Sequence, residues 1–393
     1  MVSRRDSLRG IGAVTVMVVG GAVWRAVDQG VFSAGQGPAY EPWQNWQDDD
    51  VEGPLRLVKA AILAANPHNT QPWLFQVTES RIEVFADISR HLGAMDVYMR
   101  EMHIGLGCAV ENMLLAAKSR GYEAQLTLSP GILTELHPNV QPILAATLNL
   151  SLGESSVSDL YKAIPNRHTD RAAYDETHPV SADDLETLRT WADDEAEVAV
   201  LLFSTEEKRK LFAQGTVQAT KDIIADATMS HDSTKWFRTN WKDVQKYKDG
   251  PYIDTAGVSP TLRALVKMLP PTSEEMGNNA WLGATETTLA TTPVMGFIAV
   301  RELYDRPQAM QAGRAWQRMH LWATTKGLSM QPVNQMLEIV DRERELGNEP
   351  HTSEFLERLI GDPSWKPTFA FRVGYPTMAV LASPRRPVEE VLI

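Results

Sequence analysis

Two segments of the chain resemble one another and decide the fold. The first reads Gly105-Leu-Gly-Cys-Ala-Val-Glu-Asn-Met-Leu-Leu-Ala-Ala-Lys-Ser-Arg-Gly121, and the second reads Gln311-Ala-Gly-Arg-Ala-Trp-Gln-Arg-Met-His-Leu-Trp-Ala-Thr-Thr-Lys-Gly327. In both, apolar residues recur at spacings of three and four, which predicts an amphipathic helix. A basic residue followed by glycine ends each segment, as helix C-termini prefer. The two segments therefore predict two copies of one long helix.

The two segments match at a constant offset, which indicates an internal duplication. Gly107 corresponds to Gly313 and Gly121 to Gly327, an offset of 206 residues in each case. A glycine inside a helix costs about 1 kcal/mol relative to alanine, so its presence at the same place in both copies predicts a close approach of helices. Any two helices rich in Ala and Leu look alike, but the matched glycines at both ends favour duplication.

Strand-like runs surround both predicted helices. They lie at residues 82–86, 143–150, 198–203, 296–300 and 369–373. A helix from Pro54 to about Ala64 precedes the first of them. Because helices and strands mix in both parts of the chain, we predict an α+β fold with a first half at 51–152 and a second half at 153–393.

The composition indicates a folded protein whose partner is not a nucleic acid. Of the 393 residues, 43% are hydrophobic and 22% are charged, and the formal net charge is −12. An acidic chain lacks the clustered Lys and Arg that neutralise phosphate backbones. The one cysteine, Cys108, cannot form an intramolecular disulfide, and the scattered histidines suggest no metal site.

Residues 1–30 are typical of an export signal. A basic stretch, Ser3-Arg-Arg-Asp-Ser-Leu-Arg9, precedes an apolar one from Ile11 to about Trp24. The apolar stretch is shorter than the ~20 residues of a membrane-spanning helix, which favours a secretory leader over an anchor or a plain N-terminal helix. The arginine pair resembles a twin-arginine signal, although Ser7 stands where an aromatic residue is usual. We therefore expect export to the periplasm or cell envelope through the export machinery, with residues 31–50 as a linker.

Amide side chains cluster where the first predicted helix ends. The stretch reads Asn66-Pro-His-Asn-Thr-Gln-Pro-Trp73, and a strand is expected to begin near Trp73. Asn69 and Gln71 offer both donors and acceptors, which suit the edge of a flavin ring that carries carbonyl and N–H groups. An ordinary Asx-type turn with Pro72 at its exit is the other interpretation.

Two further motifs carry arginines. The stretch Asn166-Arg-His-Thr-Asp-Arg171 places two arginines four residues apart around a threonine, so that both guanidinium groups and the hydroxyl can converge on one phosphate. Near the C-terminus, Gly374-Tyr-Pro376 precedes Ser383-Pro-Arg-Arg-Pro387. Taken singly, each motif favours a solvated, charged surface turn.

Together these motifs resemble those of the FMN-dependent nitroreductase family over about residues 50–393. The family's Arg-x-Ser-x-Arg segment, which holds the FMN phosphate and ribityl chain, corresponds to Arg167 through Arg171. Its Asn-x-Gln-Pro-Trp segment corresponds to Asn69 through Trp73. Gly327-Leu-Ser329 matches the end of its central helix, and Arg385 matches its C-terminal basic residue. The chain is most similar to the Acg-type subgroup, in which two nitroreductase-like halves are fused.

The resemblance implies a nitroreductase-like fold duplicated in one chain, with mixed sheets flanked by helices and a pseudo-twofold arrangement that mimics a nitroreductase dimer. It implies FMN as cofactor, NAD(P)H as a candidate electron donor and a small molecule as substrate. The residues expected to bind the cofactor are Arg167, Thr169, Arg171, Arg385, Asn69, Gln71, Ser329 and Met330. No catalytic residue is assigned, since the flavin carries the chemistry and the protein supplies position and polarity.

Three places depart from the family's pattern. Asn66 and Pro67 replace the usual Pro-Ser, so the contacts there are expected to differ. Asp170 puts a carboxylate inside the phosphate motif and must point away from the phosphate. Ser383 stands where many members have a basic residue, which removes one phosphate contact.

The distribution of the motifs predicts one flavin site for each chain. Ordinary members of the family are homodimers with two sites, each built from both subunits. Here the arginine motif occurs only in the second half, and Asn-x-Gln-Pro-Trp occurs only in the first. Because one complete site can be assembled, we expect a monomer that contains its own pseudo-dimer.

These features predict an oxidoreductase in which hydride passes between FMN and a small-molecule donor or acceptor. The alternative is a flavin-sequestering or flavin-storage protein without NAD(P)H turnover, because a single site under a lid could hold FMN and exclude nicotinamide. The candidate lid is an insertion at about residues 226–291, for which a simple packing elaboration is the other interpretation.

Overall fold

The computed structural model describes residues 21–48, 51–135 and 141–393. The arginine pair of the predicted export signal and most of its apolar stretch lie outside these residues. Residues 21–28 are helical and form α1. In the part of the chain that the structure describes, no helix combines the length and the apolar character needed to cross a membrane.

Two four-stranded sheets form the framework. The strands of the first are β1 (Trp73–Val77), β2 (Arg81–Ala86), β3 (Tyr122–Leu128) and β4 (Ile143–Leu152). Those of the second are β5 (Val198–Phe203), β6 (Val294–Val300), β7 (Ser329–Pro332) and β8 (Lys366–Gly374). The strand order is β1-β2-β4-β3 in one sheet and β5-β6-β8-β7 in the other, and the pairs are antiparallel. The two sheets therefore have the same topology.

Helices cover these sheets. Before and within the first sheet they are α2 (Glu41–Gln44), α3 (Leu55–Ala61) and α4 (Arg100–Ser119). Those that follow are α5 (Asp159–Ala163), α6 (Ala182–Thr190), α7 (Glu206–Ala225), α8 (Ala227–Thr234), α9 (Trp241–Tyr247), α10 (Pro260–Met268), α11 (Glu274–Ala290), α12 (Arg306–Thr325), α13 (Gln335–Leu346) and α14 (His351–Ile360). A Ser, Thr, Asp or Asn side chain caps the N-terminus of each helix from α5 to α12, which explains where these helices begin.

The two halves share their connections and differ in one of them. In each half a long helix, α4 or α12, joins the second strand to the third. The first two strands are joined by residues 78–80 in the first half and by residues 204–293 in the second. This longer connection contains α7 to α11 and includes the insertion predicted at 226–291. The extra chain therefore sits at one strand connection and leaves the repeated framework intact.

Helices α4 and α12 pack together at the glycines of the repeat. A Cβ atom on Gly107 would lie 2.1 Å from the carbonyl oxygen of Met310, and one on Gly313 would lie 2.0 Å from that of Ile104. Ile104 and Met310 are themselves separated by 206 residues, so the two contacts are equivalent about a pseudo-twofold axis. The predicted close approach is confirmed, because only a residue without a Cβ allows the two backbones to touch here.

The α+β class and the predicted strand runs are confirmed, but the sheets are antiparallel where mixed sheets were expected. Two strands were not expected. Strand β3 alternates half-buried with exposed residues along its whole length, which is the period-two signal of a strand. Strand β7 spans only four residues and ends in Pro332, so it has no such pattern. Its pairing with β8 decides its conformation.

The C-terminal segment crosses from the second half to the first. Leu392 forms a parallel bridge with Phe75 on the edge strand β1, and the amide of Ile393 donates to the Phe75 carbonyl at 3.0 Å. The amide of Arg385 donates to the Ala39 carbonyl at 2.7 Å. This crossing brings residues 383–386 beside the loop that precedes β1.

A buried group of charges joins α4 to α13. The Arg100 guanidinium is 1% exposed and pairs with Asp341 at 2.7 Å. Burial and the neighbouring Asp96 raise the pKa of Glu101 to about 8. Burial and Glu101 raise the pKa of Glu338 well above its usual value. The raised pKa values favour the protonated, neutral forms of these two glutamates, which lie where the two halves meet.

The stability of the protein is expected to fall as the pH rises from about 4.5 to 8, because Glu101 keeps its proton in the folded state and loses it on unfolding. Glu101→Gln keeps the neutral form at every pH. We expect this variant to melt at a higher temperature than the parent at pH 8 and to differ less at pH 5. Thermal melts at both pH values measure the effect, with the exposed Glu286→Gln on α11 as control. Equal differences at the two pH values would contradict the protonated state.

Candidate functional site

A cleft lies between four stretches of chain that are distant in sequence. The stretches are the loop before β1, the loop after α5, the insertion and the C-terminal segment. The residues that line the cleft are Asn66, Asn69, His168, Thr169, Arg171, Gly250, Pro251, Thr255, Leu381 and Ser383. The asparagine motif of the first half and the arginine motif of the second thus meet at one place.

Two buried arginines stand next to this cleft, each 2% exposed. Arg167 donates from Nη2 to the Leu63 carbonyl at 3.2 Å and lies 3.4 Å from Nδ1 of His320. Arg385 donates to Oγ of Ser383 at 2.7 Å and to the side-chain oxygen of Asn69. All of these acceptors are neutral.

No carboxylate among the described residues lies within 4.0 Å of either guanidinium group, and the Nε atom of each is buried without a hydrogen-bond partner there. Burial lowers the pKa of Arg167 to about 10. Burial and repulsion from Arg167 lower the pKa of Arg385 well below its usual value. An unpaired buried charge costs several kcal/mol, and the equally buried Arg100 does have a carboxylate partner. Two unpaired guanidinium groups beside one cleft therefore indicate an anion site.

The histidines of the site add no charge to it. Burial, with the nearby arginines as further causes, lowers the pKa of His168 to about 3 and that of His320 well below its usual value. Nε2 of His320 lies 3.2 Å from the His168 carbonyl. Because a carbonyl only accepts, we assign the proton to Nε2, which leaves Nδ1 as the acceptor for Arg167. Among the described residues of the cleft, the positive charge thus comes from the arginines and not from these histidines.

The arginine loop is held from behind by β7. The Asp170 carboxylate accepts from the Ala172 amide at 2.9 Å and interacts with the Ser329 hydroxyl, so it points away from the cleft. The Asp170 amide donates to the Met330 carbonyl at 3.2 Å. Ser329 and Met330 therefore support the loop and do not line the cleft. Arg171 lines the cleft and donates to the Thr255 carbonyl at 3.2 Å.

The structure brings most of the sequence-predicted residues together. Asn69, Thr169 and Arg171 line the cleft, and Arg167 and Arg385 lie beside it. Gln71 is buried and directed into the protein, where its side chain bonds to backbone atoms of two other segments.

Several residues of the site were not expected from the sequence. His168 lies inside the arginine motif, and the Gly250-Pro251 pair is a turn signal within the insertion, so both could have been found. Trp43 on α2 packs over the Arg385 guanidinium, 4.8 Å from the ring centre, and donates to the Ser383 carbonyl at 2.8 Å. Trp43 and His320 had no sequence signal, because each reaches the site through helix packing.

The position related to this site by the pseudo-twofold axis contains ion pairs. On the side of the cleft, Gln317 donates to Asn112 at 2.8 Å. At the offset of 206 their counterparts are Glu111 and Arg318, which pair at 3.1 Å. Glu195 lies in the loop before β5 and is 3.9 Å from Arg318, so it also belongs to this group. In the first half, the equivalent loop before β1 contributes to the cleft. Carboxylates thus compensate the arginines on this side.

Comparison with known proteins gives two curated relatives. Both come from Mycobacterium tuberculosis, strains CDC 1551 / Oshkosh and ATCC 25618 / H37Rv, and each carries the name "Putative NAD(P)H nitroreductase". Each is 26% identical over 309 residues, which cover 78% of this chain and 82% of the relative. No protein-family model matches the chain.

Similar solved structures include the FMN-dependent nitroreductase NfnB from Mycobacterium smegmatis in complex with NADPH. It has a TM-score of 0.38 and 13% identity and covers 59% of this chain and 96% of its own. The FMN and NADPH-dependent nitroreductase NfnB from a Sphigopyxis strain has a TM-score of 0.39 and 16% identity and covers 60% and 97%. The chain is therefore similar in sequence to two proteins named as putative NAD(P)H nitroreductases, in agreement with the resemblance that the motifs predicted.

Proposed function

We propose that this protein is an FMN-binding oxidoreductase of the nitroreductase type, with its flavin in the cleft between the two halves. The observation that carries the proposal is the pair of buried, unpaired arginines, Arg167 and Arg385, beside that cleft. A phosphate supplies the negative charge that these groups lack and offers acceptors to their free Nε atoms. The names of the curated relatives support the same reaction class.

The residues present fit FMN. Arg167, Arg385 and Arg171 would hold the phosphate, and the Thr169 hydroxyl would add a neutral donor. The Asn69 side chain, which accepts from Arg385 and donates to the Pro384 carbonyl at 2.9 Å, would line the cleft beside these arginines, near the ribityl chain or the ring edge. Bound FMN supplies the hydride chemistry.

The chain itself binds, orients and shields. One wall of the cleft is formed by three residues of the insertion, Gly250, Pro251 and Thr255. This wall would keep water from the cofactor, and we therefore interpret the insertion as a lid. His168 and His320 stay neutral through the physiological range, so they neither repel the arginines nor supply protons there.

Anaerobic mixing of the purified, flavin-loaded protein with NADPH and with NADH tests the function. An oxidoreductase of this type should lose its flavin absorbance on mixing and regain it when a nitro compound or other acceptor is added. A flavin that stays oxidised with both nucleotides would favour storage, for which no described contact and no named relative gives support. A protein that binds no FMN would refute the proposal as a whole.

One FMN is expected for each chain. At the pseudo-symmetric position Arg314 bridges Glu111 at 3.0 Å and Glu195 at 2.6 Å, so arginines there already have carboxylates and a phosphate would meet two negative charges. Mass spectrometry under native conditions should find a monomer with a single flavin. Two flavins on one chain, or a flavin held only by two associated chains, would contradict this stoichiometry.

We also propose that the leader directs export. Since the receptor of the twin-arginine route reads the arginine pair itself, Arg4→Lys together with Arg5→Lys should leave the protein in the cytoplasm. Arg9→Lys makes the same change outside the pair and should be exported normally. Cell fractionation measures both variants. Normal export of the Arg4, Arg5 variant would show that another route is used.

A further inference from the structure

Gln71 lies where three segments of the cleft meet, although its side chain is directed away from the cleft. It is 0% exposed. Its Nε2 donates to the Lys248 carbonyl at 2.8 Å, and its Oε1 accepts from the Arg386 amide at 2.8 Å. The side chain therefore bonds at one end to the insertion and at the other to the C-terminal segment.

Each of the three segments carries part of the site. The insertion segment continues into Gly250, which lines the cleft. The C-terminal segment contains Arg385, which directly precedes Arg386, the residue whose backbone amide donates to the Gln71 side chain. The backbone amide of Gln71 donates to the side-chain oxygen of Asn66, another cleft residue, at 2.8 Å. One side chain thus fixes the positions of three walls relative to one another.

The backbone at this junction is strained. His68, Asn69 and Gln71 have φ values of 46°, 52° and 52°, and Lys248 on the facing segment has 55°. Left-handed backbone costs about 1 kcal/mol or more for residues other than glycine, so it persists where surrounding contacts determine it. Here the contacts are the side-chain bonds of Gln71 and the bond from the Gly250 amide to the Asn69 carbonyl at 3.1 Å.

We propose that Gln71 is a positioning residue, which couples the insertion to the arginine segment and so sets the shape of the flavin cleft. The inference rests on the proposed function, because it takes FMN as the molecule that the cleft binds. The two side-chain hydrogen bonds of Gln71 form a clamp between the insertion and the C-terminal segment. Without this clamp, Arg385 and Gly250 are no longer held in fixed positions relative to each other. The affinity for FMN then falls, although no direct contact with the cofactor is removed.

Two substitutions distinguish the contribution of the Gln71 hydrogen bonds from that of its side-chain packing. Gln71→Glu keeps the shape of the side chain but loses the Nε2 donor and places a carboxylate against the Lys248 carbonyl. Gln71→Met keeps the length and loses both bonds. Gln218→Glu on the exposed face of α7 makes the same change of charge and serves as control. We expect FMN affinity to fall roughly ten- to thirtyfold in both Gln71 variants and to stay unchanged in the control.

Hydrogen exchange of the flavin-free proteins gives a second readout. Residues 248–251 and 384–387 should exchange faster in both Gln71 variants than in the parent, without flavin present. Unchanged exchange would show that the clamp does not exist. Faster exchange with unchanged FMN affinity would show a structural role only, and either result would overturn the proposal. If the parent binds no FMN, the proposed function fails, and so does the assignment of Gln71 to flavin positioning, while exchange still reports whether the clamp forms.

Discussion

Replacing Arg167 by glutamine should stabilise the flavin-free protein and at the same time weaken its binding of FMN. The guanidinium group is buried without a carboxylate and is repelled by Arg385, so the neutral amide relieves an unfavourable charge. In the loaded protein the same group holds the phosphate, and a charge-assisted hydrogen bond contributes about 1.5–3 kcal/mol. We therefore expect the dissociation constant to rise roughly ten- to a hundredfold. The melting temperature of the flavin-free form should rise by about 1–3 °C.

Arg314→Gln is the control, because it removes an arginine that has two carboxylate partners and lies in the ion-paired group on the other side of the pseudo-twofold axis. Its loss should lower the melting temperature and leave FMN affinity unchanged. Calorimetric titration and thermal melts measure both quantities in both variants. An Arg167→Gln protein that binds FMN as tightly as the parent would show that the anion site lies elsewhere. A lower melting temperature in that variant would show that its charge is compensated.

Gly107→Ala should be among the most destabilising single substitutions in the chain. The added methyl group would lie 2.1 Å from the Met310 carbonyl oxygen, a backbone atom that cannot rotate away. Helices α4 and α12 must move apart, which loosens the packing between the two halves. Overpacking costs about 1–3 kcal/mol and occasionally more, and we expect the upper end here or beyond it. Urea unfolding measures the loss, and FMN affinity should fall with it because both halves build the cleft.

Gly283→Ala makes the same substitution in the interior of α11, where the new methyl group would meet no atom within 4 Å beyond its chain neighbours and its own helix backbone. Alanine has the higher helix propensity, so this variant should gain roughly 0.5–1 kcal/mol. The two substitutions are therefore expected to change stability in opposite directions. If Gly107→Ala were as harmless as Gly283→Ala, the close approach of the two helices would be wrong.

Much of the framework could be read from the amino-acid sequence alone. The offset between Gly107 and Gly313 predicted the contact of two equivalent helices, because a glycine at the same place in two helices has few explanations other than close approach. Periodicity predicted most strands, since the side-chain period of a strand is local. The motifs predicted which stretches meet, and the cleft joins Asn69 to Thr169 and Arg171.

The roles of individual side chains depended on the tertiary structure. Arg167 and Arg314 are the same type of residue, but one is buried without a counter-charge and the other lies between two glutamates. Gln71, which the motif predicted as a cofactor-binding residue, bonds through its side chain to segments that lie 177 and 315 residues away in the chain. Neither fact has a local signal, because the energy of a buried charge or amide depends on which distant groups the fold brings within hydrogen-bonding distance.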